Sequence, residues 1–138
     1  MKIHKVVVIG SGTMGSGIAA HLCNANISVT LLDLKTEISE KARDKIFNSR
    51  PPLLLDKSKI NNIKVGNIND DLNILKNADW IVEAVVERID IKHNIYEKIF
   101  KERKAGTIVS SNTSSIPIKV LSEKLSSEEK KDFCITHF

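Results

Sequence analysis

A β-branched run, Lys5-Val6-Val7-Val8-Ile9, passes directly into Gly10-Ser11-Gly12-Thr13-Met14-Gly15, and this junction constrains the fold more than any other stretch of the chain. The run has the length and composition of a strand buried on both faces. From Thr13 to Asn24 the apolar positions Met14, Ile18 and Leu22 recur every four residues, which is a helical stripe. The glycines therefore occupy a strand-to-helix turn. A second apolar run, Ser28 to Leu32, ends at Asp33, 23 residues after Gly10. Strand, glycine turn, helix, strand and terminal carboxylate together form a dinucleotide-gripping unit. Gly10 permits the tight turn. Gly12 has no Cβ, so a pyrophosphate can approach the backbone, and Gly15 lets helix and strand pack closely. Free N–H groups at the helix start, around Thr13 and Met14, are expected to hold the phosphates. Asp33 is expected to accept hydrogen bonds from the adenosine ribose. Its charge repels a 2′-phosphate, so the spacing favours NAD over NADP. A plain strand–turn–helix with a capping Asp is the duller alternative.

Short apolar runs continue to alternate with amphipathic ones, the pattern of a parallel sheet with crossover helices. Further strands are expected at Ile63–Val65, within Trp80–Val85, at Thr107–Ser111 and at Phe133–Thr136. Helices are expected from Thr36, as cap, to Phe47, along a stripe of Ile91, Ile95 and Ile99, and after Ser115 with Pro117 in the first turn. The expected fold class is α/β: one doubly wound parallel sheet (a Rossmann fold) over residues 1–138, helices on both faces, strand order 3-2-1-4-5-6. Pro51-Pro52-Leu53-Leu54-Leu55 is out of character for a connection. The leucines are expected to tuck under their own domain; contact with a partner surface is the alternative.

Composition removes several function classes. Hydrophobic residues are 41% and charged residues 28%, as in ordinary globular chains. The net charge of +4 invites a nucleic-acid reading, but basic and acidic residues are interleaved and aromatics are only 4%, too few for stacking platforms. No nucleic-acid partner and no membrane association are expected. The apolar run near the N-terminus, Val6 to Ile9, is four residues long and runs into glycines, unlike a signal peptide. Cys23 and Cys134 lie far apart with no C-x-x-C, which excludes a thiolate metal site and suits a reducing cytoplasm. Both read as buried apolar fillers, and no metal site is expected.

In open α/β sheets, ligands sit beyond the carboxyl ends of the strands. Glu83 ends the fourth strand, Asn112-Thr113-Ser114-Ser115 follows the fifth, and His137 follows the sixth. These groups are expected to converge near the nicotinamide end of a bound dinucleotide. Each has a plainer reading: Glu83 as a solvated strand end, Ser114 or Ser115 as a helix cap, His137 as a frayed terminus. His4, His21 and His93 read as structural or solvated.

The segments GSGTMGSGIAAHL, VEAVVERIDIKHNIYEKI, IVSSNTSSIPI and ITHF resemble the N-terminal nucleotide-binding domain of the 3-hydroxyacyl-CoA dehydrogenases, over residues 3–138. The V-E-A-x-V-E, S-N-T-S-S and T-H-F motifs are more specific than the glycine fingerprint. The stretch from Pro51 to Glu83 is most similar to the long multidomain bacterial β-oxidation forms. That resemblance implies NAD-dependent oxidation of (3S)-3-hydroxyacyl-CoA to 3-oxoacyl-CoA. It implies that Asp33, Glu87, Lys92 and Ser114 contact NAD, that Ser114 also binds the substrate's 3-oxygen, and that His137 is the catalytic base. The plainer reading of Glu87 and Lys92 is a local surface pair.

The family pattern continues past T-H-F into F-N-P, whereas this sequence ends at Phe138. A histidine-orienting glutamate, a substrate-binding asparagine and a helical dimerisation and substrate domain lie further on in the family. The expectation is therefore weak or absent turnover by these 138 residues alone, with a non-catalytic NAD-binding module as the alternative. Self-association, or pairing with a separate chain carrying the helical domain, is expected to cover Phe138.

Overall fold

Val6, Val7, Val8 and Ile9 are all almost fully buried, because the strand they form is covered on both faces. The computed structural model describes all 138 residues, Met1–Phe138. In chain order the main elements are β1 (Lys5–Ile9), α1 (Thr13–Asn24), β2 (Ser28–Asp33), α2 (Thr36–Asn48) and β3 (Ile63–Asn67). Then follow β4 (Trp80–Glu83), α3 (Ile89–Glu102), β5 (Ile108–Ser111), α4 (Ile118–Leu121), α5 (Ser127–Lys131) and β6 (Phe133–Ile135). Short 3₁₀ turns at Lys57–Asn62 and Leu72–Asn77 lead into β3 and β4. All six strands form one sheet in the order β3-β2-β1-β4-β5-β6, and every pairing is parallel. The chain order reverses between β1 and β4, and this switch point opens a crevice at the carboxyl edge.

Alternation along the strands sorts residues into two cores. Val6, Val8, Val29, Leu31 and Val82 face α1 and α2, where they meet Ile18, Leu22, Ala42 and Ile46. Val7, Ile9, Ile81, Val109 and Phe133 face the other way and meet Ile95, Tyr96, Ile99 and Leu121. Helices thus lie on both faces, as expected for the class.

Several local expectations change. Lys35, not Thr36, holds the cap position of α2; the Thr36 hydroxyl instead accepts from the Asn67 amide at 2.9 Å. Pro117 is the N-cap of α4 rather than a residue of its first turn. Of the three leucines only Leu54 is buried. Asn24 binds the backbone on either side of it, donating to the Leu53 carbonyl and accepting from the Leu55 N–H. That grip pins the irregular segment at one point and leaves Leu53 and Leu55 outside. Cys23 is buried, but Cys134 is only half-buried because β6 is an edge strand. Phe138 remains 43% exposed, as expected, although its ring stacks on Trp80 and meets His21 edge-on, with centroids 6.1 and 6.2 Å apart. His93 donates from Nε2 to the Val120 carbonyl at 2.8 Å, tying α3 to α4. No helix is long and apolar enough to cross a membrane.

Candidate functional site

A cleft of about 1050 Å³ runs along the carboxyl edge, and its lining draws on the glycine loop, the end of β2, the β4–α3 connection and the residues after β5 and β6. Gly10 sits at φ +104° against the chain after β4; a Cβ there would come within 2.4 Å of the Ala84 carbonyl oxygen. A Cβ on Gly15 would lie 1.8 Å from the Gly10 carbonyl oxygen. Both glycines are therefore demanded by close backbone approach. Gly12 differs, since a Cβ there would meet nothing within 4 Å and would project into open space at the cleft. As the N-cap of α1, Gly12 offers no side chain to the first-turn amides. The N–H groups of Thr13 and Met14 donate to no acceptor in the chain, so they remain available to an anion.

Asp33 closes the β2 side. Its Oδ2 accepts the Ser11 N–H at 2.8 Å and the Ser11 hydroxyl at 2.5 Å, and its Oδ1 accepts the Leu34 N–H at 2.7 Å. Leu34, Ile38, Ile68 and Asn69 line the cleft beside it. Leu34 and Ile38 are exposed, which leaves an apolar wall for a planar base. Open space over Gly12, free amides at the helix start and a fixed carboxylate with an apolar wall together fit a dinucleotide.

On the β4–β5 side the structure corrects the sequence reading of Glu83. It is neither solvated nor aimed into the cleft; it is fully buried. Glu83 has the same strand parity as Ile81, so it points under α3 rather than out of the edge. Its Oε2 accepts from Lys92 Nζ at 2.7 Å and from the Val85 N–H at 2.9 Å. Its Oε1 accepts from the Tyr96 hydroxyl at 2.5 Å and the Ser111 hydroxyl at 2.7 Å. Lys92 is equally interior, so it does not form a surface pair with Glu87. Its ammonium also reaches Glu87 Oε1 at 3.3 Å and the Val85 carbonyl at 3.4 Å. Burial first, and then the Glu83 charge, push the Tyr96 phenol far above its ordinary titration range.

Lys92 lines the cleft from within, and Glu87 is the charged member of this cluster exposed there, with 38% of its side chain accessible. It accepts the Thr113 hydroxyl at 2.8 Å and the Ser114 N–H at 3.2 Å. Burial acts to raise its pKa, but these two hydrogen bonds and Lys92 outweigh it and hold the carboxyl below its ordinary range. Thr113, not Ser114 or Ser115, caps the following turn, accepting the Ile116 N–H at 3.1 Å. The Ser114 and His137 side chains both line the cleft and are exposed. Asn112 lines it too, and its Oδ1 accepts the Phe138 N–H at 3.3 Å, which tethers the chain just past His137.

Thus Gly10, Gly12, Thr13, Met14, Asp33, Glu87, Lys92, Ser114 and His137 all line one cleft, with Gly15 behind the loop. Sequence reasoning gave no role to Ser11, Tyr96 or Ser111, and placed Thr113 near the cleft without its part in holding Glu87. A signal for Tyr96 and Lys92 was present: the buried stripe of α3 is Lys92, Ile95, Tyr96 and Ile99, which keeps Ile95 and Ile99 of the expected stripe but takes Lys92 in place of the half-buried Ile91.

Comparison with known proteins identifies the family and supports the fold. The profile of the family described as "3-hydroxyacyl-CoA dehydrogenase, NAD binding domain" matches residues 5–138. A putative fatty acid oxidation complex trifunctional enzyme of Rickettsia felis is 41% identical over 144 residues, covering 99% of this chain and 20% of that relative. A probable 3-hydroxyacyl-CoA dehydrogenase of Deinococcus radiodurans is 39% identical over 145 residues, covering 100% of this chain and 42% of that relative. The chain therefore spans less than half the length of either. Among solved structures, the 3-hydroxybutyryl-CoA dehydrogenase of Escherichia coli superposes with a TM-score of 0.85 at 28% identity, covering 100% of this chain and 30% of that one. The chain belongs to the family of 3-hydroxyacyl-CoA dehydrogenase NAD-binding domains.

Proposed function

We propose that these residues form the nucleotide-binding and proton-transfer part of an NAD-dependent oxidation of (3S)-3-hydroxyacyl-CoA to 3-oxoacyl-CoA, a step of fatty acid β-oxidation. The observation that carries the reading is the arrival of Ser114 and His137, from different strand ends, at the cleft that Gly12 and Asp33 open. When bound, NAD supplies the acceptor for the hydride leaving C3. Asp33 receives the adenosine ribose, the N–H groups of Thr13 and Met14 face the pyrophosphate, and Glu87 and Lys92 lie towards the nicotinamide end. The Ser114 hydroxyl binds the 3-oxygen. His137 removes the 3-hydroxyl proton; imidazole suits this because its ordinary titration lies near neutrality, so it both accepts and returns a proton.

None of the ion pairs in the structure involves His137. No carboxylate of this sheet orients it, an observation that favours a second reading: an NAD-binding module without catalysis. Calorimetry with NAD, followed by NADH absorbance after adding (3S)-3-hydroxybutyryl-CoA, separates the two. The expected result is saturable NAD binding that His137→Ala leaves intact, with slow NADH formation that His137→Ala abolishes. General-base action is worth about 10²–10⁴ in rate, and an unoriented imidazole forgoes much of it. NAD binding with no His137-dependent NADH supports the module; absence of NAD binding overturns both readings.

A further inference from the structure

Glu83 is the most completely coordinated side chain in the molecule. Four donors from three directions pin its two oxygens: the Val85 N–H and Lys92 on one, Tyr96 and Ser111 on the other. It has no exposure, and Lys92 has almost none. A buried ion pair is a weak source of stability, since desolvation of both charges offsets their attraction. Packing alone would be served as well by two apolar residues. Nor is the cluster balanced, because two carboxylates share one ammonium. Its contacts also lead somewhere. From Glu83 they pass to Lys92, from Lys92 at 3.3 Å to Glu87, and from Glu87 to the Thr113 hydroxyl and the Ser114 N–H. Every link is polar and directional, and the last one lies in the cleft.

We propose that Glu83, clamped by Tyr96 and Ser111, is a positioning residue for the cleft: through Lys92 it sets Glu87, and through Glu87 it sets the loop that carries Ser114. This rests on the reading above, in which Glu87, Lys92 and Ser114 contact NAD. The geometry explains why a carboxylate occupies the inward phase of β4. Lys92 needs a rigid counter-ion to hold its ammonium at one point beneath the floor of the cleft. A neutral partner would let it swing to Glu87 and draw that carboxylate away from Thr113 and Ser114.

Two measurements on the chain test it. Amide hydrogen exchange in the absence of ligand reads the loop directly. In Glu83→Gln the Ser114 amide is expected to exchange about tenfold faster, the loss of one hydrogen bond to a charged group, while Val109 in the sheet keeps its protection. Calorimetry with NAD then closes a double-mutant cycle with Lys92→Met, run well below the melting temperature of the least stable variant. Glu83→Gln is expected to weaken NAD about tenfold in the native background and to add little when Lys92 is already Met, because coupled residues are not additive. An equal loss on both backgrounds, or an unchanged Ser114 exchange rate, overturns the proposal and makes Glu83 a structural residue only. Should Glu83→Gln fail to fold, Tyr96→Phe removes a single donor and carries the same two tests, with an expected effect of about fivefold. If Lys92→Met leaves NAD affinity unchanged, the assignment of Lys92 to the cofactor fails, while the exchange result still decides whether Glu83 positions the loop.

Discussion

Ser11 gives both its amide and its hydroxyl to one oxygen of Asp33, at 2.8 and 2.5 Å. The glycine loop and the end of β2 are thereby joined through the carboxylate that we propose receives the adenosine ribose. Its other oxygen is held by the Leu34 N–H. The acceptor of the cleft is set in place before any nucleotide arrives, so little ordering is lost on binding.

This linkage makes cofactor choice depend on two residues. Asp33→Ala removes the proposed ribose acceptor and, with it, a charge expected to repel a 2′-phosphate. NAD affinity is expected to fall about tenfold or more, and the preference over NADP to narrow. Ser11→Ala is expected to do the same more weakly, because the carboxylate keeps its charge but loses a restraint. Calorimetry with both nucleotides checks the order; equal NAD affinity in Asp33→Ala and the native chain would contradict it.

Two glycines of the same loop are expected to respond in opposite ways. Gly10→Ala forces a side chain into positive φ and against the Ala84 carbonyl, with a cost of about 1–3 kcal/mol from backbone strain alone. Thermal melting is expected to fall markedly. Gly12→Ala has room for its methyl, so its stability is expected to stay within about 0.5 kcal/mol while NAD binding is lost, since the methyl occupies the approach of the pyrophosphate. A Gly12→Ala protein that binds NAD normally would remove the glycine loop from the phosphate site.

Tyr96 is the chain's single tyrosine, so its ionisation is readable by absorbance. Burial and the Glu83 carboxylate raise its folded pKa. Stabilisation from the protonated phenol is therefore complete below the unfolded value of about 10 and is lost as pH rises beyond it towards the folded value. No phenolate signal is expected near pH 10 while the chain stays folded; it should appear together with alkaline unfolding. Reversible ionisation near pH 10 in the folded state would place Tyr96 outside the buried cluster.

Glu87 titrates in the other sense. Its folded pKa is depressed, so its stabilising hold on the Ser114 loop is present above the unfolded pKa and is lost as pH falls through the folded one. Protection of the Ser114 amide is expected to persist below the ordinary carboxylate range and then to fall in a single step. Glu87→Gln should abolish that step. Loss of protection at or above the ordinary value would show that Thr113, Ser114 and Lys92 do not outweigh burial.

Local rules were sufficient wherever chemistry depends on neighbours along the chain. The run Lys5–Ile9, the glycine spacing and Asp33 after the second strand dictate a strand–turn–helix–strand unit, because buried strands need apolar runs and close backbone contact needs glycine. The observed ranges of β1 and α1 match that reading, and so does the strand order. The V-E-A-x-V-E, S-N-T-S-S and T-H-F motifs carried the family.

Only the tertiary structure decided which way the charges face. Glu83 is the last residue of β4, where exposure and burial are equally open to a local reading. Its strand phase alone puts it with Ile81, and the helix that covers that phase comes from residues 89–102. Lys92 likewise follows the helical phase of Ile95 and Ile99 into the interior, where the only acceptors strong enough to hold an ammonium are Glu83 and Glu87. Period-two and period-3.6 patterns say which residues share a face, but not what that face meets. The pairing of two buried faces from distant segments is a property of the closed sheet and helix together, because desolvation allows a charge inside only where its partner is already in place.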